Sequence, residues 1–389
     1  MGKALVIILD GVGCGELPDA ADFGDAGSNT LGNLAEAMGG LDLPNLGKIG
    51  LGNIIAIRGI PPAEHPSGSY GKMAELSPAK DSTVGHWELM GHPVDKPFPT
   101  YPEGFPDEIV NRLRAETGRD FIGNKVSSGT DIIAELGEEH IKTGALILYT
   151  SADSVLQIAA HTGSVPVEEL YRVCGVARGI MSGEHSVGRI IARPFTGQAG
   201  NFQRTPQRHD FSLKPPGNTT LDLLKNEGIP TISVGKIYDL FGGKGLSESH
   251  PTKSNSEGIE TTIRISPKVD YGLIFTNLVD FDMLWGHRNN PQDFYKGLKE
   301  FDSCLPDIMG TLSEGDLLIL TADHGVDPTT VSTDHSREYV PLLVWGKDFK
   351  AGINLGIRET FADVGATVAE YFEIEGTGWG VGFLGELAL

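Results

Sequence analysis

Carboxylates and imidazoles recur in this chain where apolar runs end. Ala4-Leu5-Val6-Ile7-Ile8-Leu9 leads into Asp10-Gly11. Leu273 to Val279 leads into Asp280-Phe281-Asp282, with His287 shortly after. Leu317 to Ala322 leads into Asp323-His324-Gly325, and Asp334-His335 follows. Uninterrupted apolar runs of this kind predict strands buried on both faces. In open α/β sheets the chemistry gathers beyond the carboxyl ends of such strands. Strand ends that deliver Asp and His to one edge would form a mixed oxygen and nitrogen cage, suited to Mn²⁺, Zn²⁺ or Fe rather than Ca²⁺. One Asp at a strand end means little. Its repetition, with histidines close behind, is hard to ascribe to packing.

A second reactive stretch is Lys80-Asp81-Ser82-Thr83-Val84-Gly85-His86-Trp87-Glu88-Leu89. It carries adjacent hydroxyls and leads into a predicted helix. A hydroxyl at a helix N-terminus gains from the positive dipole end and from backbone N–H groups able to hold phosphate oxygens. A metal on that oxygen would activate it for attack. The plain alternative is that Asp81 or Ser82 is only an N-cap.

The elements that position these groups are spread over 389 residues, enough for two or three domains and a large core. The formal charge of −21 argues against nucleic-acid binding, which needs a basic footprint. It suits cation binding and solubility. Cys14, Cys174 and Cys304 are far apart, with neither a disulfide framework nor zinc-type spacing, so a reducing cytoplasm is expected. No apolar run approaches membrane-spanning length, and no membrane partner is expected. Two proline-rich stretches, Pro93 to Pro106 and Lys214-Pro215-Pro216-Gly217-Asn218, punctuate the chain. Because the candidate ligands fall on both outer segments, 1–97 and 217–389 are expected to build one metal-binding core, with 98–216 inserted as a smaller cap. Within the insert, Ala145 to Thr150 and Ile190 to Ala192 read as strands and Val167 to Arg178 as a helix. Thr231 to Val234 and Val340 to Trp345 read as further core strands. Thr360 reads as an N-cap with Asp363 at the reciprocal capping position. A domain inserted beside a site is a candidate lid.

Together these pieces resemble the alkaline phosphatase superfamily of metalloenzymes and, within it, the phosphopentomutase family. The resemblance spans almost the whole chain. It is carried by Leu9 to Ala20, by Lys80 to Glu88, by Tyr149-Thr150-Ser151-Ala152-Asp153-Ser154-Val155 with Gln157 to His161, and by Ile191-Ala192-Arg193-Pro194-Phe195. Further carriers are Arg204-Thr205-Pro206 with Arg208-His209-Asp210, Asn277 to Asp282 with Gly286-His287-Arg288, Thr321 to Gly325, and Thr333-Asp334-His335 with Arg337-Glu338-Tyr339. Asp-His-Gly and Gly-His belong to the superfamily as a whole. The insert motifs and Gly-His-Trp-Glu belong to the phosphopentomutases.

The resemblance implies an alkaline-phosphatase-like α/β core sheet flanked by helices, with an inserted α/β cap. It implies a manganese-dependent isomerase of nucleoside and pentose phosphate metabolism, interconverting ribose 1-phosphate and ribose 5-phosphate and their 2-deoxy forms. Two Mn²⁺ ions per chain are implied, one on Asp10, the Ser82 hydroxyl, Asp323 and His324, the other on Asp282, His287 and His335. Asp280 has no ligand role in the family and reads as supporting structure. Ser82 would be the phosphorylated residue, a pentose 1,5-bisphosphate the intermediate, and sugar bisphosphate the activator. The family usually has Thr at the position of Ser82, and another Thr where Val84 stands here. Thr83 therefore stays open as the acceptor, since a one-residue shift would present it instead. Ser151, Asp153, Arg193, Arg208 and Lys236 would bind the sugar phosphate, Arg being suited to bidentate contact with phosphate. Arg204 reads as a surface residue, and His86, His161 and His209 as structural. The rival reading is a metal-dependent phosphohydrolase on the same core. The choice between ribose and deoxyribose and the oligomeric state are left open.

Overall fold

The computed structural model describes residues 2–151 and 153–388. The chain divides into two compact units, Met1–Pro97 with Pro215–Leu389, and Phe98–Lys214.

The first unit is built on an eight-stranded sheet. Its strands lie in the order Glu248–His250, Thr231–Val234, Gly272–Leu278, Lys3–Leu9, Leu317–Thr321, Val340–Trp345, Ser69–Met73 and Asn354–Arg358. The three apolar runs are neighbours at its centre and run parallel. Every residue of Lys3–Leu9, Gly272–Leu278 and Leu317–Thr321 is buried. That is why these strands read as continuous apolar runs rather than as alternation. Val340–Trp345 runs antiparallel to both its neighbours. Helix Asn255–Ile265 packs on Gly272–Leu278, and the long helix Pro291–Gly310 packs on it and on Pro44–Ile49. Asp302 of that long helix accepts from the N–H groups of Leu46 (2.7 Å) and Asn45 (3.3 Å), satisfying the first turn of Pro44–Ile49 from outside. Helix Ala362–Tyr371 packs on Ser82–Leu89. The capping box expected at Thr360 and Asp363 does not form. The Thr360 hydroxyl donates instead to Glu88 at 2.8 Å, and Asp363 accepts from Arg358 Nε at 2.6 Å. Charged partners from other elements win over the local reciprocal bond.

The second unit is a six-stranded mixed sheet. Alternate residues of Leu146–Thr150 face opposite cores. Leu146 and Leu148 join a cluster with Ile109, Leu113, Leu170 and Val173 of helices Asp107–Thr117 and Val167–Ile180. Ile147 and Tyr149 join Ile132 and Ile133 of helix Gly129–Thr143 on the other face. Among the described residues, no helix is long and apolar enough to cross a membrane.

Candidate active site

The three central strands end side by side, and their following residues form two clusters. Asp10, Asp323 and His324 make one, and Asp282, His324 and His335 the other, with the ligating atoms of each group within 4.8 Å of one another. His324 lies within reach of both. Its Nε2 lies 3.3 Å from Asp10 Oδ1 and 3.4 Å from Asp323 Oδ2, and its ring stacks on His335. Asp323 and His324 can meet one point because Leu317–Thr321 has ended before them. Asp282 sits in a π-helical turn, Phe281–Trp285, a local irregularity that recurs at functional sites. His287 joins the second cluster, with Nε2 3.2 Å from Asp282 Oδ1 and 3.1 Å from His335 Nε2.

The ring orientations are fixed from behind. His287 Nδ1–H donates to Thr333 O at 2.6 Å, His335 Nδ1–H to Lys80 O at 2.6 Å, and His324 Nδ1–H to Gly325 O at 3.0 Å. A carbonyl only accepts, so Nδ1 carries the proton and Nε2 is left to take a proton or a metal. Asp10 Oδ1, Asp282 Oδ1 and Asp323 Oδ2 are buried and face imidazole nitrogens at 3.3, 3.0 and 3.1 Å. Buried carboxylate oxygens gathered with imidazole nitrogens are a donor set that suits a divalent cation. Without a cation, protons must balance the charge. Burial and the neighbouring Asp323 push the Asp10 carboxyl above the usual carboxylate range. Burial opposes charge on His324, but Asp323 and Asp10 outweigh it and hold the imidazolium well above its usual range. Burial also opposes charge on Asp282, where His335 prevails and keeps the carboxyl low.

Ser82 is the first residue of helix Ser82–Leu89, and its Oγ lies 3.0 Å from His324 Nε2. Asp81 is the N-cap, accepting from the N–H groups of Thr83 and Val84. Those two groups, expected to be free for phosphate oxygens, are therefore taken. The capping role falls to Asp81, which leaves the Ser82 hydroxyl to the cluster. Each residue of Gly85-His86-Trp87-Glu88 has its own reason. A Cβ on Gly85 would lie 2.1 Å from Asp323 O. His86 Nδ1 lies 2.7 Å from Ser82 O and 3.1 Å from Asp323 Oδ2. Trp87 donates to Leu240 O at 2.9 Å. Glu88 accepts from the N–H groups of Leu76, Ser77 and Phe361.

Sequence reasoning missed several supporting residues. His86 read as structural, yet it touches both Asp323 and the main chain of Ser82. Asn277 donates to Asp10 Oδ2 at 2.8 Å. Glu338 accepts from Gly15 N, Thr30 N, Thr30 Oγ1 and Ser336 Oγ, tying together the loops around Asp10 and His335. Their presence inside motifs was the available signal; their roles depend on partners far away in sequence. Asp280 and Asn255 bond reciprocally, each main-chain N–H donating to the other's side chain, which fits a supporting role for Asp280.

Lys236 follows the carboxyl end of Thr231–Val234, on the same sheet edge, with Nζ 4.0 Å from the sulfur of Met283, the neighbour of Asp282. The other substrate candidates lie in the second unit. Arg193 Nε donates to Gln157 at 3.1 Å, and Arg208 forms a bidentate pair with Asp210. Burial pushes the Tyr149 phenol up, while Arg193, Arg204 and Arg208 pull it down from nearby. Arg204 is exposed at the surface, as expected. Asp153 N–H lies 3.3 Å from Ser151 Oγ; Ala152 between them is outside the described residues.

Three comparisons bear on this arrangement. The family described as the Metalloenzyme superfamily matches residues 2–376. The chain is 60% identical over 387 residues to a phosphopentomutase of Dictyoglomus turgidum, covering 100% of this chain and 98% of that protein. It is 57% identical to a phosphopentomutase of Carboxydothermus hydrogenoformans, with both chains fully covered. Among solved structures, the PH0037 protein of Pyrococcus horikoshii superposes with a TM-score of 0.50 at 14% identity, covering 96% of this chain and 97% of that one, a likeness of fold alone.

Proposed function

The chain belongs to the phosphopentomutases of the metalloenzyme superfamily, and from that premise we propose a reaction path in which Ser82 carries the phosphoryl group between the two hydroxyls of a pentose. The carrying observation is the Ser82 hydroxyl, 3.0 Å from the imidazole shared by both carboxylate–histidine clusters. Asp10, Ser82, Asp323 and His324 would hold one divalent ion, and Asp282, His287 and His335 the other, with Mn²⁺ the expected metal. Such ions supply charge neutralisation at phosphoryl oxygens and lower the pKa of a bound hydroxyl.

Phospho-Ser82 gives its phosphoryl group to the free hydroxyl of ribose 5-phosphate or ribose 1-phosphate. The Ser82 Oγ–P bond breaks and the sugar O–P bond forms, giving the 1,5-bisphosphate. The bisphosphate turns around, and Ser82 Oγ takes the other phosphoryl group, restoring phospho-Ser82. Added bisphosphate acts as activator because it rephosphorylates an idle Ser82. Ser151, Asp153, Arg193 and Arg208 of the unit Phe98–Lys214, with Lys236, are the residues we propose to bind the sugar phosphate. The arginines suit the distal phosphate, and Asp153 suits the ribose hydroxyls. The free cysteines suit a reducing cytoplasm. Phosphorus NMR of ribose 5-phosphate with enzyme, Mn²⁺ and a trace of bisphosphate should show ribose 1-phosphate growing in. Inorganic phosphate as the sole product would replace this reading with a hydrolase.

A further inference from the structure

The stretch from Glu75 to Ala79, which leads into Lys80-Asp81-Ser82, lies between strand Ser69–Met73 and helix Ser82–Leu89 and belongs to neither. No ladder fixes its register. Its main chain is gripped instead by a segment more than 250 residues away in sequence. The Arg337 side chain is only 4% exposed. Its Nη1 donates to Ser77 O at 2.7 Å and Ala79 O at 2.6 Å, and its Nη2 to Glu75 O at 3.0 Å. The guanidinium is anchored in turn by Glu75 Oε2, 2.9 Å from Nη1, and by Asp19, 3.2 Å from Nε. Two residues earlier, His335 holds Lys80 O. The Arg337 N–H donates to Asp25, whose carboxylate also holds Lys80 Nζ at 3.0 Å. Four carbonyls of the approach to Ser82 are therefore set by Arg337 and His335.

We propose that Arg337 is a positioning residue that sets the register of the 75–81 loop, so that Ser82 rather than Thr83 faces the carboxylate–histidine clusters. The proposal rests on the reading of Ser82 as phosphoryl acceptor. A planar fork with several donors can hold diverging carbonyls at fixed angles; a lysine ammonium is a single point on a flexible stem and cannot. Thr83 is the residue that a one-step slip would deliver, and it is buried just behind Ser82.

The test uses the full-length enzyme loaded with Mn²⁺. Arg337→Lys and Arg337→Ala are compared with wild type for circular dichroism, metal content, kcat, KM for ribose 5-phosphate, and the site of phosphate by fragmentation mass spectrometry. Both variants should keep metal content and hold KM within about threefold, while kcat falls about 10²-fold, the scale of a misplaced reacting group. Phosphate should appear on Thr83 as well as Ser82. Guanidinium at tens of millimolar should restore at least part of the kcat of Arg337→Ala and none of it for wild type. Unchanged kcat would overturn the proposal. So would phosphate confined to Ser82 with losses that only track the folded fraction and no guanidinium rescue. If neither variant folds, Asp19→Asn loosens the same guanidinium from its outer side, and normal kcat there would equally overturn it. Active wild type with no phosphate on either residue would instead overturn the phosphoenzyme reading beneath it.

Discussion

A serine at a helix start is an ordinary residue until its surroundings are counted. Here Asp81 takes the capping bonds, His86 and Arg337 hold the flanking main chain, and the Ser82 hydroxyl is left to His324. Ser82→Ala should therefore keep its fold while turnover falls by roughly 10³-fold or more, as for loss of a nucleophile. Ser82→Thr, which restores the residue usual in the family, should keep most of it. Phosphorus NMR of turnover separates the two, and a fully active Ser82→Ala would move the acceptor elsewhere. Glu338 gives a prediction in pH. Burial pushes its carboxyl up to about 7, from 4.5 in an exposed chain, against four donors that favour the charged form. The folded state then holds a proton that the unfolded state releases between these values. Its contribution is full below pH 4.5 and is lost as pH rises through about 7, a change of about 3 kcal/mol. Glu338→Gln cannot ionise and should lack that slope. Urea unfolding at pH 4.5 and 7.5, in chelator, should show wild type losing stability relative to the variant; parallel losses would remove Glu338 from the account.

Helix Ser82–Leu89 does its work by lying against the residues that follow Leu317–Thr321. A Cβ on Gly85 would meet the Asp323 carbonyl at 2.1 Å, a backbone atom that cannot swing away. Gly85→Ala should destabilise the protein by about 1–3 kcal/mol, the scale of overpacking, and should weaken metal retention because Asp323 must shift. Calorimetry with elemental analysis checks both, and an unperturbed variant would mean that the helix is free to move. In the second unit, the guanidinium groups of Arg193, Arg204 and Arg208 gather near Tyr149. If they hold the distal phosphate, the Arg193→Ala, Arg208→Ala double variant should lose turnover while keeping its metal content. It should also need more added bisphosphate, since an escaped intermediate leaves Ser82 without phosphate. Unaltered bisphosphate dependence would assign the cap a purely structural part.

At the scale of the whole molecule, one sheet gathers ligands from residues 10, 282, 287, 323, 324 and 335. Cations that bind only this folded arrangement stabilise it by mass action. Chelation should lower the melting temperature and abolish turnover, and Mn²⁺ should restore both. Asp10→Ala and His324→Ala should each impair mainly one site and His335→Ala the other; elemental analysis decides, and a fully active metal-free enzyme would end the two-metal reading. By itself the sequence determined the buried strands, because unbroken apolar runs leave no solvent face, and it determined that Asp and His cluster at their ends. Its motifs also carried the family. Only the tertiary structure decided that the three runs are adjacent, that His324 lies within reach of both clusters, that Asp81 and not Ser82 caps the helix, and that the Thr360 hydroxyl, while accepting from Ala362 N–H, donates to Glu88. The physical reason is range. Strand burial and local periodicity are written in neighbouring residues, whereas a hydrogen bond such as Arg337 to Ala79 or Asn277 to Asp10 joins positions that only the folded chain brings together.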